Sequence, residues 1–317
     1  ELTCELVHWS TLHRDEVFPY RGVEVTGIAL ADSIRAELTY VLTENADYNM
    51  VFTQNGIACT TTSLIAASRG HATLDSIRDE DIPAIRDAHL VLAAFNAWQP
   101  GVFALSGWDL TGALTIPQEQ VADLIADGDT RWIERGAHDL VGSSPDATRS
   151  LSGMPRARSL YGTLPEQLEQ KGSFADQLSE MLRVRAESGI NTARQVDVPN
   201  VANRSMLVMV HEIDVEDSDE PTTQVTVLNF GTEPIDGAVL SESLPPRAIV
   251  TDVVTGETIA KVDDLHSFPI HLEPYGRAFL VLKPGPPEPP TATSAIPIIT
   301  SGSAVPTITA AMPIIPS

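Results

Sequence analysis

The hydrophobic period changes near residue 194, and that change constrains the fold more than any other feature. Before it, apolar residues recur at helical spacing. Ile34, Leu38, Val41 and Leu42 form one stripe over Ala31–Leu42. Ile82, Ile85, Leu90, Leu92, Phe95 and Trp98 form a stronger one over Asp79–Trp98, with acids in the first turn and Pro83 near the start. Phe174, Leu178, Met181 and Leu182 mark a third, over Phe174–Arg185. After residue 194 the apolar runs become short. Met206–Val210, Gln224–Phe230, Ala248–Val250 and Ala278–Leu282 read as strands, separated by Glu233-Pro234, Thr255-Gly256 and Pro274-Tyr275-Gly276. Close strands with turn signals predict an antiparallel β-sandwich.

One segment of the helical part reads differently. The helix ending at Trp98 runs into Gln99-Pro100-Gly101, and Val102–Leu105 is a short apolar run of the kind that buried parallel strands show. Ser106-Gly107-Trp108-Asp109 then turns out of it. Helix, tight turn, buried strand and loop make the αβ unit of a (β/α)8 TIM barrel. The expected fold is therefore α/β plus all-β. Residues 1–192 are the C-terminal part of a barrel through its eighth strand, and 193–283 an antiparallel β-sandwich. Residues 284–317 form a Pro/Thr/Ile-rich low-complexity tail, in which proline density predicts disorder. At 317 residues the chain has room for two cores of roughly 100–200 residues each.

Charge excludes some functions. Twenty basic against 43 acidic residues give a net −23, and no Lys/Arg cluster offers the basic stripe that nucleic acid requires. Neutral small molecules, sugars included, are compatible with such a surface. Two cysteines, Cys4 and Cys59, make no disulfide framework. No window of about 18 apolar residues predicts a membrane span. The chain opens Glu-Leu-Thr with neither an initiator Met nor a signal-like segment, and it reads as a piece of a longer protein.

Motifs narrow the chemistry further. No HExxH, CxxC or EF-hand pattern occurs, and His8, His13, His266 and His271 lack ligand spacing, so no metal is expected. GxGxxG and GxxxxGK[ST] are absent, and Leu105-Ser106-Gly107 is only half of a G-x-S-x-G elbow. No cofactor is expected. Trp108 and Asp109 follow the apolar run directly, where a barrel strand would deliver them to the catalytic face. An aromatic plane beside a carboxylate suits a sugar, the ring meeting C–H faces and the acid accepting from hydroxyls. The alternative packs Trp108 under a loop and has Asp109 cap the next segment. Arg131, in Asp127-Gly128-Asp129-Thr130-Arg131-Trp132, either borders the same sugar site or is held by its neighbouring acids. Gln54-Asn55-Gly56 signals a turn before Ile57–Ser63, a small-residue run that fits a helix N-cap or an active-site loop.

Several stretches together resemble the α-amylase superfamily, most closely its trehalose synthases. Glu1-Leu2-Thr3-Cys4-Glu5-Leu6-Val7-His8 resembles the segment directly after the Asn-His-Asp of those enzymes' seventh-strand motif. Asn96–Leu110 resembles the eighth barrel strand, with Ser106-Gly107-Trp108-Asp109 where many members have Tyr-Gly-Asp-Glu. Phe174–Leu178 with Leu182-Arg183-Val184-Arg185 resembles the helix before the C-terminal β-domain. Leu228-Asn229-Phe230 and Leu272–Arg277 resemble that domain's hallmark strand and final turn.

The resemblance covers about residues 1–283. It implies a retaining enzyme acting on maltose or an α-glucan, and most specifically one that isomerises maltose to trehalose. Its nucleophilic aspartate and acid glutamate would come from strands outside this chain. The isolated chain is then expected to be inactive, with Trp108, Asp109 and Arg131 as substrate-binding residues. Low cysteine content and the resemblance together imply the cytoplasm. The rival readings are an α-glucosidase or α-amylase, and a non-catalytic carbohydrate-binding β-sandwich module.

Overall fold

The helical part begins with two helices and a hairpin. In the computed structural model, which describes residues 2–53, 56–214 and 221–285 with side chains from residue 6, α1 spans Leu2–Leu12. Strands β1 (Val17–Tyr20) and β2 (Val23–Thr26) pair antiparallel. Helix α2 (Gly27–Thr39) comes next, capped by Thr26, whose side chain accepts from the Ala29 amide at 3.4 Å. A second small hairpin joins β3 (Met50–Phe52) to β4 (Gly56–Ala58). Helix α3 (Thr61–Ser68) starts at Thr60, whose hydroxyl accepts from the Ser63 amide at 3.1 Å. The small-residue run after Gly56 thus supplies a strand and an N-cap, while Gln54 and Asn55 lie outside the described residues.

Helix α4 (Ile82–Ala97) is the strong stripe expected from sequence, with Pro in its first turn and Ile85, His89, Leu90, Val91, Ala93, Ala94 and Ala97 buried. Short helices α5 (Gly107–Thr111) and α6 (Ala122–Ile125) come next, then long irregular chain, α7 (Leu164–Glu169) and α8 (Phe174–Ser188). Ser173 caps α8 by accepting from the Asp176 amide at 3.1 Å, and Gly189 ends it in the left-handed region.

The expected eighth barrel strand does not form. Val102–Leu105 carries no strand pairing, Val102 is 97% exposed, and the nearest backbone anchor is the Gly101 amide donating to the Asn191 carbonyl at 2.9 Å. The physical reason is a missing neighbour. A strand exists only through its ladder, and the described residues of 1–192 hold two antiparallel hairpins, with a single parallel bridge, Ala137 to Arg156. Phe103 and Leu105 pack instead, half-buried, against the core beneath α4 and α8.

From Arg194 to Lys283 every described strand pairing is antiparallel. The strands are β5 (Arg194–Asp197), β6 (Met206–Ile213), β7 (Thr222–Asn229), β8 (Ile235–Leu240), β9 (Ile249–Asp252), β10 (Thr258–Lys261), β11 (Ser267–Leu272) and β12 (Arg277–Lys283). Six of them build one sheet in the order β10-β9-β12-β7-β6-β5, and β8 pairs with β11 in a second. The two sheets share an apolar core that includes Val208, Val225 and Leu280 from the larger sheet and Ile235, Val239 and Phe268 from the smaller. The opposite face of the large sheet packs on α4 and α8, through Met209, Leu228 and Phe279 against Trp98, Phe174 and Met181. Both layers belong to one unit, Glu1–Pro284. The expectation of a disordered tail covers residues 284–317, of which 286–317 lie outside those described.

Candidate functional site

Trp108 and Asp109 lie on α5, a single helical turn set by its own sequence. The Asp109 carboxylate accepts from the Ser106 amide at 3.2 Å, three residues back, as an acid at the third position of a helix commonly does. Gly112 ends the turn at φ +62°, and a Cβ there would lie 2.6 Å from the Tyr161 ring, so both conformation and space require glycine. The Ala113 amide returns to the Trp108 carbonyl at 2.9 Å, and Gln167 Nε2 donates to the Leu110 carbonyl at 2.7 Å.

Asp109 is 5% exposed. Its second oxygen lies 3.5 Å from Nε2 of His89, a contact that is not aligned as a hydrogen bond. His89, on α4, is 1% exposed, and its Nδ1 lies 3.2 Å from the Tyr161 hydroxyl. Burial pushes the Tyr161 phenol up, so it stays protonated. A protonated phenol can donate to Nδ1, which leaves the imidazole hydrogen on Nε2, facing Asp109. Phe174 covers the assembly, 4.5 Å from the His89 ring and 5.0 Å from that of Tyr161, centroid to centroid. Carboxylate, imidazole and phenol thus form a line, buried at Asp109 and His89 and half-buried at Tyr161, that fixes α5 to α4 and α8. Trp108 and Leu110, both half-buried, flank Asp109 on this turn, and Trp108 is the aromatic one.

Arg131 sits on the helical turn Thr130–Glu134. Its Nε donates to Asp129 Oδ1 at 2.8 Å and its Nη2 to Oδ2 at 3.0 Å, a two-pronged pair. Its guanidinium lies 4.2 Å from the Phe52 ring centroid. Those hydrogen bonds hold the Asp129 carboxyl below the usual range. Trp108 and Asp109 are therefore together on one turn. Arg131 is engaged by Asp129 and Phe52, and among the described residues no hydrogen bond, ion pair or ring contact joins it to α5.

Sequence reasoning missed His89 and Tyr161. A signal existed for the first: His89 stands four residues after Ile85 on the apolar stripe of α4, where a polar side chain needs a buried partner. Tyr161 lies in irregular chain, and only the fold brings it near. Cys59 is no nucleophile, since burial pushes its thiol up to about 12. Among the described residues no group of three or more His, Cys, Asp and Glu side chains could hold a metal ion. No described helix is long and apolar enough to cross a membrane.

No family model matches this sequence, and no curated protein does. Solved structures share its shape in part. Trehalulose synthase MutB from Pseudomonas mesoacidophila MX-45 is similar over 62% of this chain, at 15% identity and a TM-score of 0.44. Amy13B from Eubacterium rectale is similar over 63%, at 14% identity and 0.42. An α-amylase from Geobacillus thermoleovorans, solved with acarbose, is similar over 70%, at 11% identity and 0.40. The chain spans 38%, 35% and 36% of the lengths of these three proteins.

Proposed function

We propose that this chain is the C-terminal part of a retaining α-glucan-active enzyme of the α-amylase superfamily, and that the whole polypeptide isomerises maltose to trehalose. One observation supports this above others: four of the five segments that carry the sequence resemblance, far apart in the chain, contact one another. Arg185 of the Leu182–Arg185 motif donates to the carbonyls of Ala97, Gln99 and Gly101 in the Pro-Gly segment. Trp98, from the same segment, stacks on Phe279 at 3.6 Å. Arg277 of the final turn donates to Gln177 on α8 at 2.7 Å. Asn229 of the hallmark strand donates to the Glu273 carbonyl at 3.0 Å. Residues tied in this way constrain one another, which gives four separate motifs a single structural cause.

On this reading the nucleophilic aspartate and acid glutamate, about 5–5.5 Å apart in retaining enzymes, lie outside these residues, and the chain alone turns over no maltose. It supplies the α5 turn at one side of the substrate mouth, with Trp108 as the sugar-stacking surface and Asp109 fixing its position. Keeping water from the glucosyl-enzyme is what makes an isomerase rather than a hydrolase.

Reading the gene upstream of Glu1 tests the family. An Asn-His-Asp directly before Glu1, with aspartate and glutamate strand-end motifs further up, supports it; their absence sinks it and leaves a carbohydrate-binding β-module. Product analysis of the full polypeptide on maltose decides the reaction, trehalose meaning isomerisation and glucose alone hydrolysis. Trp108→Ala is expected to raise the maltose KM of that enzyme about tenfold; an unchanged KM assigns Trp108 to packing.

A further inference from the structure

A cleft of about 700 Å3 opens between helices α3 and α4 and the loop ends of the β-sheets. That volume lies within the usual span of small-ligand sites. Leu64, Ala88 and Leu92 line one wall, and Phe230, Tyr275 and Glu233 stand opposite. We propose that this cleft binds a short neutral saccharide.

The aromatic wall is built rather than incidental. Asn229 is fully buried, and its amide ties two turns together, Nδ2 donating to the carbonyls of Glu233 and Glu273 and Oδ1 accepting from the Gly231 amide. The Phe230 amide donates to the Ser205 carbonyl at 2.8 Å, which draws a third loop in. Gly231 permits this approach: a Cβ there would meet the Ser205 hydroxyl at 2.8 Å. Phe230, at the end of an apolar strand, is left 38% exposed instead of joining either core. Tyr275 takes φ +53°, a strained conformation for a bulky residue and one that concentrates at ligand sites. Arg69 at the end of α3 donates to the Tyr275 hydroxyl and lies 5.7 Å from its ring centroid, which fixes the ring.

The charges select a neutral ligand. Arg69, whose Nη1 donates to Tyr275 while its buried Nε is unpaired, is the cation of the lining, and Glu233 contributes one carboxylate, so the two lining charges balance. With a net charge of −23 on the chain, an anion is repelled. Aromatic rings beside an amide, hydroxyls and one carboxylate match the C–H faces and hydroxyls of a sugar. This inference stands on the cleft and not on the superfamily reading, which the upstream gene sequence tests separately.

Calorimetric titration of this chain with maltotriose and with cellotriose tests it. At least one is expected to bind. Phe230→Ala, which removes an exposed ring, is expected to weaken that binding about tenfold or more. Ser68→Trp, which fills the cleft from an exposed position on α3, is expected to abolish it with thermal unfolding unchanged. Failure of both trisaccharides to bind at millimolar concentration overturns the proposal, and so does unaltered affinity in either folded variant.

Discussion

The two faces of the six-stranded sheet are made of the same strands and packed by different rules. Val208 and Val210 of β6, Val225 and Val227 of β7, and Leu280 and Leu282 of β12 point to the smaller sheet and form an apolar layer, with Thr223 and Asn229 as buried polar residues only toward the two ends of β7. Their sequence neighbours Met209, His211, Gln224, Thr226, Leu228 and Phe279 point the other way, to α4 and α8. Three of those six are polar. His211 is fully buried with neither ring nitrogen bonded to a protein group, and Gln224 Oε1 and Thr226 Oγ1 are likewise unpaired. Register puts His211 directly opposite Gln224 and Met209 opposite Thr226, so the orphaned atoms form one patch. A buried polar group without a partner costs free energy. The sheet-to-sheet layer can therefore hold on hydrophobic burial alone, whereas the sheet-to-helix layer depends on its large aromatic contacts to offset that patch.

Substitution can break this contrast. Trp98→Ala removes the ring stacked on Phe279 and is expected to cost about 3–5 kcal/mol in urea unfolding; a loss below about 1 kcal/mol would mean the junction is not a packed core. Acid offers the next largest effect. Burial lowers the His211 pKa from 6.5 to about 4, so folding favours its neutral form. That contribution is complete above pH 6.5 and is lost as the pH falls toward about 4, on the order of 3 kcal/mol in all. His211→Leu should flatten the acid limb of the stability curve, and an unchanged limb removes His211 as its cause.

Adjacent residues on β7 allow a finer comparison. Val227→Thr puts a hydroxyl into the apolar layer and should destabilise by about 1–3 kcal/mol. Thr226→Val removes an unpaired hydroxyl from the other layer and should be neutral or stabilising by about 1 kcal/mol. Thermal melts that reverse this order would contradict the contrast between faces. The smallest effect belongs to His271 on β11, exposed and raised above its ordinary value by hydrogen bonds to Asp236 and then Glu273. Its contribution is present below pH 6.5 and lost as the pH rises through the raised value, opposite in sign to that of His211. Asp236→Asn should reduce the melting-temperature difference between pH 5 and pH 8, and an unchanged difference would clear His271.

The same contrast explains how much of the fold is legible in the sequence. Strands β6, β7 and β12 are buried on both faces, so β6 and β12 appear in sequence as nearly continuous apolar runs and β7 as a run rich in β-branched residues. Strands β8 and β11 escape notice for the opposite reason. In Ile235–Leu240 only Ile235 and Val239 are buried, around Asp236 and Gly237, and Ser267–Leu272 contains Pro269. Proline is tolerated there because a two-stranded sheet leaves each strand one free edge. Val102–Leu105 shows the converse error: its apolar run is legible, but pairing is a property of neighbours and not of the run. At the candidate site, Trp108 and Asp109 are legible because a turn joins them in sequence. The partners of Asp109 are not, since His89 and Tyr161 stand 20 and 52 residues away and meet it only through the packing of α4.

The Arg185 clasp has a consequence for the order in which the molecule comes apart. Its bonds to the Ala97, Gln99 and Gly101 carbonyls involve no carboxylate or imidazole, whereas the sheet-to-helix layer holds His211, whose protonation burial opposes. Acid is therefore expected to loosen the sheet from the helices while this clasp still holds α8 to the end of α4. In hydrogen exchange at low pH, the amides of these two helices should open together as one cooperative unit, later than those of the sheet face they have left.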